Sequence, residues 1–391
     1  MNDHPRIAIF LATSGQSGVD RAARNLIPAL ARRGYRVDLL KVRGHGPDLD
    51  ELPPGVRVVD LGHDHVYPCA LAVARYLRRE RPRVLLSDKD RVNRTALLAR
   101  WLSGTRIPVV CYVGTPVSLE HAHRSAARQR RHRNWMRRLY PAADGFLADS
   151  PGVKDDLIAY TGLPRERVIV VPRPVVPAAL FEDRAVPPPH PWLAPGMPPV
   201  VLGVGELSAG KDFATLLRAF AQLREHQVCR LMILGKGKQH DALLAQAEAL
   251  GVRDDVALLG FRRDVPAFMR HAAVLGLASL REGLSFVLIE ALACGTPVVS
   301  TDCPHGPRAV LQDGRYGALV PVGDAGAMAA ALAESLGARR SPEALRAAAR
   351  PYEIESATDA ALLALGLPLR VDAAVAIGPA PQPQPEALAA S

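Results

Sequence analysis

What most constrains this chain is a rhythm. Short runs rich in Val, Ile and Leu alternate with Ala/Leu/Arg stretches of helical spacing, twice over, with one proline-dense break between the two series. Such alternation marks parallel strands joined by crossover helices. In the first series "RIAIFLA", "RVDLLKV", "RVLLS", "PVVCYV", "GFLADS" and "RVIVVP" read as strands, and "GVDRAARNLIPALARRG" reads as a helix stopped at Gly34. The break, "VVPRPVVPAALFEDRAVPPPHPWLAPGMPP", carries more proline than a packed helix or an internal strand tolerates.

After the break the rhythm restarts with "PVVLGVG", "CRLMILGKG", "VALLGF", "VLGLAS" and "PVVST" as strands between helical stretches. With 391 residues, 48% of them hydrophobic, each half can bury a core of its own. The expected organisation is a Rossmann-like domain over 1–175, a linker over 176–198, and a second Rossmann-like domain over 199–350. A helical segment over 351–368 and a disordered Ala/Pro-rich tail over 369–391 follow. Two doubly wound parallel sheets facing each other would put the carboxyl ends of both sets of strands at a shared cleft, so a ligand site is expected there.

Composition narrows the setting. No apolar run of about 18 residues and no charged-then-apolar leader occur, and the five cysteines show no CxxC pairing. A cytoplasmic protein with reduced, packed thiols is expected. The net charge of +10 is uneven: residues 1–170 hold 29 Lys and Arg against 17 Asp and Glu, and the remainder is slightly acidic. Much of the excess lies in "HAHRSAARQRRHRNWMRRLY", His121 to Tyr140, where arginines 124, 128, 131 and 138 recur at near-helical spacing. Such a helix fits an anionic membrane surface, and equally a plain solvated face. Nucleic acid is a poor partner despite a pI near 9.7, because aromatics make up only 5% and do not interleave with the basic run.

The stretch "REGLSFVLIEALACGTPVVST" holds two glutamates, Glu282 and Glu290, the second inside an apolar helix. A carboxylate in such a place needs a partner, since burying it unpaired costs several kcal/mol or raises its pKa. The plain structural reading is a local hydrogen bond or a thin exposed strip. The functional one uses the residues upstream. Gly283 admits a close ligand, and the first N–H groups at Leu284, Ser285 and Phe286 form an anion site. Leu284 to Glu290 spans roughly 9 Å of helix, the order of the reach from a diphosphate to the ribose of the same nucleotide.

At these residues the chain resembles a known family. "EGLSFVLIEALACGTPVVSTDCPHGPRAVL" is similar to the E-x7-E region of the retaining GT-B glycosyltransferases of family 4, and "VGELSAGKDFATLLRAF", "LMILGKG", "VALLGFRRDVPAFMRHA" and "DGRYGALVPVGD" follow the family's order. The N-terminal half matches more loosely through "SGQSGVDRAARNLIPALARRGYRVDLL". The resemblance implies a GT-B fold and a nucleotide diphosphate sugar as donor. It also implies a glycan or lipid-linked acceptor in envelope or exopolysaccharide synthesis. Neither a cofactor nor a metal is implied.

Carried over, Glu290 binds the donor ribose, Glu282 lies near the transferred sugar, and Lys211 neutralises the leaving diphosphate. Arg262 lies in the segment against the base, Gly235 and Lys236 belong to the next strand end, and Gly15 and Gly18 approach from the other domain. Two departures stand out: Glu206 occupies a place where many relatives carry an arginine, and "PVVCYVGTPV" lacks the histidine many carry after that strand. They leave open an inert sugar-nucleotide-binding protein, or a sugar-nucleotide epimerase on the same fold. "DKD", Asp88 to Asp90, copies a metal-binding pattern of a different glycosyltransferase fold and is expected to contact the cleft rather than a metal. "HDH", His63 to His65, is expected to be solvated.

Overall fold

A computed structural model describes residues 4–15, 17–49, 51–121, 124–182, 186–338 and 340–370. The chain divides into two compact units, Met1–Val175 with Ile354–Ser391, and Val176–Glu353. The expected Ala/Pro-rich tail lies, from residue 371 on, outside the described residues.

In the first unit the strands are β1 (Arg6–Leu11), β2 (Arg36–Lys41), β3 (Val56–Asp60), β4 (Val84–Asp88), β5 (Val109–Val113), β6 (Gly145–Ala148) and β7 (Val168–Val170). They form one sheet in the order β3-β2-β1-β4-β5-β6-β7, and every pairing is parallel. The helices between them are α1 (Gly18–Arg32), α2 (Cys69–Glu80), α3 (Asp90–Ser103), α4 (Val117–Glu120), α5 (Ala126–Leu139) and α6 (Pro151–Thr161). The strand order turns back between β1 and β4, with β2 and β3 on one side and β5 to β7 on the other, which makes the carboxyl ends of those two strands the place where such sheets take ligands.

The second unit repeats the plan with β8 (Val200–Val204), β9 (Arg230–Leu234), β10 (Val256–Leu258), β11 (Val274–Leu277), β12 (Val298–Thr301) and β13 (Ala318–Val320). Their order is β10-β9-β8-β11-β12-β13, again all parallel. Its helices are α7 (Phe213–His226), α8 (His240–Ala249), α9 (Val265–His271), α10 (Phe286–Ala293), α11 (Gly306–Val310), α12 (Ala325–Gly337) and α13 (Pro342–Ala349). Among the described residues no helix is long and apolar enough to cross a membrane, and all five cysteines are free and buried.

Two strands escape the sequence reading, β3 and β13, and both are sheet edges. β3, "VRVVD", is half-solvated on both faces and so lacks the continuous apolar run of its neighbours. The proline-rich connection is not loose chain. It contains two short 3-10 turns, Ala178–Phe181 and Pro191–Leu193, that bury Phe181 and Leu193. Val176 donates to the Tyr352 carbonyl at 3.2 Å. The segment after residue 350 divides: Tyr352 and Glu353 stay with the second unit, while α14 (Ile354–Ala364) returns to the first. There Ala361 and Leu362 join the core under β1 and β2, and Arg33 pairs with Glu355 and Asp359 at 2.6 Å.

Candidate active site

In the second unit the loops leaving adjacent strands are laced together by backbone. Gly205 N–H donates to the Leu234 carbonyl at 2.9 Å, Leu207 to Lys236 at 3.0 Å, and Gly235 to Gly260 at 2.8 Å. A Cβ on Gly235 would sit 1.7 Å from the Gly205 oxygen, and one on Gly237 2.2 Å from the Leu207 oxygen. The glycines of "GKG" are thus required by contact between two loops, with Gly235 at φ +149°. Between them Lys236 is exposed, as is Glu206 on the neighbouring loop.

The lysine and the first glutamate, 71 residues apart, meet. Lys211 Nζ lies 2.6 Å from Glu282 Oε1, which also accepts from Ser279 Oγ at 2.7 Å. The loops that bring them together are tied by Leu280 N–H to the Gly210 carbonyl at 2.9 Å, and Thr301 Oγ1 holds the Ser279 carbonyl at 2.6 Å. Behind them Glu282 bridges to His305. A Cβ on Gly306 would lie 2.9 Å from the Gly283 oxygen, so the Glu282–Gly283 turn is backed by chain at van der Waals distance. Glu282 is only 10% exposed at its side chain and Lys211 29%, an ion pair at the edge of solvent.

Gly283 and Leu284 are half-buried and lead into α10, whose N-cap is Ser285. Ser285 makes no capping bond to the helix, and its Oγ is buried without a hydrogen-bond partner. A buried hydroxyl with no partner at the start of a helix, where the first N–H groups have none within the helix, is a place suited to an anion. The helix buries Leu288, Ile289, Ala291, Leu292 and Ala293, while Phe286, Val287 and Glu290 are half-buried. Glu290 is half-buried rather than enclosed, on the strip of α10 that it shares with Phe286 and Val287, which agrees with the thin exposed strip of the plain structural reading.

The remaining predicted residues are dispersed. Arg262 is exposed and clasps Asp264 with two bonds of 2.9 and 2.7 Å, so its side chain is already engaged. Gly15 (φ +87°) and Gly18, the first residue of α1, belong to the first unit. That turn is held by a capping box between Ser17 and Asp20, with Thr13 also donating to Asp20.

Two polar clusters in the first unit were not foreseen as clusters. At the carboxyl ends of its strands, buried Arg173 bonds Asp149 Oδ1 at 2.6 Å and Asp88 Oδ2 at 2.7 Å, and its guanidinium lies 4.3 Å from the Tyr112 ring centre. Burial pushes the Asp149 carboxyl up to about 6 against the pull of Arg173. A Cβ on Gly114 would fall 2.7 Å from Asp149 Oδ2, so this triad fills the ground beside "VGT", where the expected histidine is missing. The signal was present: Asp88 is the last residue of buried β4 and Asp149 the first after buried β6.

The acids of "DKD", expected to contact a cleft, divide between the two clusters, and Asp90 lines a cavity. Asp88 ends β4 in the triad, whereas Asp90 opens α3 and is buried beside His132, 3.0 Å away, and Tyr140, also 3.0 Å away. His121 lies edge-on to His132 with ring centres 4.0 Å apart. Burial, then His132 and Arg124, pushes the His121 imidazole down to about 4. All three line a cavity of about 550 Å³ with Lys89 and arginines 91, 94, 124, 128 and 131. The basic stretch is indeed helical as α5, with Arg128, Arg131 and Arg138 exposed and His132 and Met136 as its buried residues. "HDH" is exposed at His63, Asp64 and His65, as expected.

Comparison with known proteins follows the two units. A family model described as Glycosyltransferase Family 4 matches residues 16–179, and one described as Glycosyl transferases group 1 matches residues 189–351. The chain is 34% identical over 194 residues to the N-acetylgalactosamine-N,N'-diacetylbacillosaminyl-diphospho-undecaprenol 4-alpha-N-acetylgalactosaminyltransferase of Campylobacter jejuni, covering 49% of this chain and 50% of that one. It is 37% identical over 138 residues to the lipopolysaccharide core biosynthesis glycosyltransferase LpsE of Rhizobium meliloti, covering 35% and 39%. The chain therefore matches half or less of the length of these curated relatives. Among solved structures it superposes on the apo form of the lipopolysaccharide outer core galactosyltransferase WaaB with a TM-score of 0.72 at 20% identity, covering 90% and 97%. It superposes on Anabaena HepE in complex with UDP and glucose with a TM-score of 0.70 at 19% identity, covering 91% and 97%. At those identities the likeness is one of fold.

Proposed function

The chain belongs to glycosyltransferase family 4 and has the GT-B fold; from that premise we propose that it moves a sugar, with retention at the anomeric carbon, from a nucleotide diphosphate sugar to a glycan or lipid-linked acceptor in envelope or exopolysaccharide synthesis. The observation that carries the reading is the meeting of Lys211 and Glu282 beside a helix start whose Ser285 hydroxyl is buried and unpartnered. In the proposed complex the diphosphate lies on the first turn of α10 and draws Lys211 toward it, which frees Glu282 to accept from the transferred sugar. Glu290, further along the same helix, accepts from the ribose hydroxyls. Charge developing on the leaving diphosphate is met by the Lys211 ammonium and by N–H groups already aimed at it, so little reorganisation is needed as the glycosidic bond breaks. Lys236, exposed on the adjacent loop, supplies a second cation near Glu206.

The relatives bear on the substrates. The name of the Campylobacter jejuni relative places its acceptor on a diphospho-undecaprenol carrier, and the HepE structure holds UDP and glucose. A lipid-linked acceptor suits the exposed basic face of α5, which we assign to an anionic membrane surface on the cytoplasmic side. Incubation with UDP-, GDP- and ADP-sugars tests the reading. Slow release of the nucleotide from one donor class, suppressed in Lys211→Ala, is the expected outcome. Binding of a sugar nucleotide with no release would point to an inert binding protein, and epimerised donor would point to an epimerase.

A further inference from the structure

His132 Nε2 lies 3.0 Å from Asp90 Oδ2 and its Nδ1 lies 3.2 Å from Tyr160 Oη, so both ring nitrogens face polar partners. A proton on Nε2 serves the Asp90 pair, yet it leaves His121 unexplained. His121 is 4% exposed, has hydrogen-bond partners on neither ring nitrogen, and lies against His132. A metal ion accounts for both.

We propose that Asp90, His121 and His132 hold a transition-metal ion of the zinc class, with its open position turned toward the cavity they line. One ligand atom from each residue can be chosen so that all three lie within 4.8 Å of one another. Two ligands of a tetrahedral zinc are about 3.3 Å apart, so small ring movements suffice. The surroundings are those of a supported site. Tyr160 orients His132, and Tyr140 Oη holds Asp90 Oδ1 at 3.0 Å. Arg94 occupies one lone pair of Oδ2 at 2.8 Å, which leaves the other for the ion. With three protein ligands, the fourth position falls to a molecule from the cavity. Its wall carries arginines 91, 124, 128 and 131, none of which forms a salt bridge among the described residues, so the chemistry selected is a phosphate oxygen.

The test is equilibrium dialysis of the full chain against Zn²⁺, with metal counted by mass spectrometry. One equivalent should bind, and His121→Gln and His132→Gln should each weaken binding at least tenfold. The double variant His63→Ala/His65→Ala should bind as the wild type does, because those residues are exposed and outside the cluster. His132→Gln loses two hydrogen bonds and could misfold. His121→Gln loses none, and it decides the matter if thermal melting shows it folded. No saturable binding by the wild type, or undiminished binding by His121→Gln, overturns the proposal. Substituted Co²⁺ reads the open position: inorganic phosphate should change its visible spectrum, and Arg128→Ala should require more phosphate for the same change. A spectrum indifferent to phosphate would overturn the phosphate assignment.

Discussion

The two units carry their polar chemistry in opposite ways. In the second, Lys211 on its loop and Glu290 on α10 stand at the margin of solvent, and Glu282, only 10% exposed, lies beneath Lys211. In the first, Arg173, Asp88 and Asp149 each have less than 8% of their side chains exposed, and Asp90 and His132 are equally enclosed. A charge at the margin can turn to a ligand with little desolvation, whereas an enclosed one is held by its neighbours and its loss strands them. Loss of a charge from the Arg173 triad should therefore cost stability, and loss of one from the Lys211–Glu282 pair should cost binding.

The largest effect expected from that contrast is at Arg173. Arg173→Leu leaves two buried carboxylates unpaired and should cost about 3–5 kcal/mol in urea unfolding. A cost below about 1 kcal/mol would break the distinction between the units. Next is Gly235→Ala, which forces a Cβ into the Gly205 carbonyl at a backbone angle that suits glycine. About 1–3 kcal/mol should be lost, while Gly210→Ala, with nothing within 4 Å of its Cβ, should change stability by less than about 0.5 kcal/mol. Equal effects at the two glycines would show that loop lacing does not hold the site. Smaller in stability than Gly235→Ala is Lys211→Ala. Lys211 is 29% exposed and Glu282 keeps its bond from Ser279, so about 1 kcal/mol should be lost, yet donor turnover should fall about 10²–10³-fold. Thermal melting and initial rates on one preparation separate the two.

The same contrast explains what could be read from the sequence. Glu282, Gly283, Ser285 and Glu290 are nearly contiguous, so a linear reading can name them together as one candidate site at a helix start. The central strands were legible because burial on both faces makes them continuous apolar runs; of the four edge strands β7 and β10 lie in apolar runs that could be read, whereas β3 is half-solvated on both faces and β13 is three residues long. The pairing of Lys211 with Glu282 across 71 residues needed the fold. So did the meeting of Asp90, His121 and His132, whose histidines sit inside a run of arginines that draws the eye to charge rather than to ligands. Glu290 shows a different limit: apolar residues on every face of a helical wheel indicate burial in general, but only packing against α9 and α13 decides which narrow strip stays open.

The central claim, that a nucleotide sugar lies along α10 with its ribose on Glu290, is tested most directly by thermal melting of wild type and Glu290→Ala against UDP-, GDP- and ADP-sugars. A true donor at a hundred times its Kd stabilises the folded protein by about 2.7 kcal/mol. One nucleotide class should raise the Tm of the wild type, and Glu290→Ala should keep the unliganded Tm while losing most of that rise. An undiminished rise in Glu290→Ala would contradict the claim.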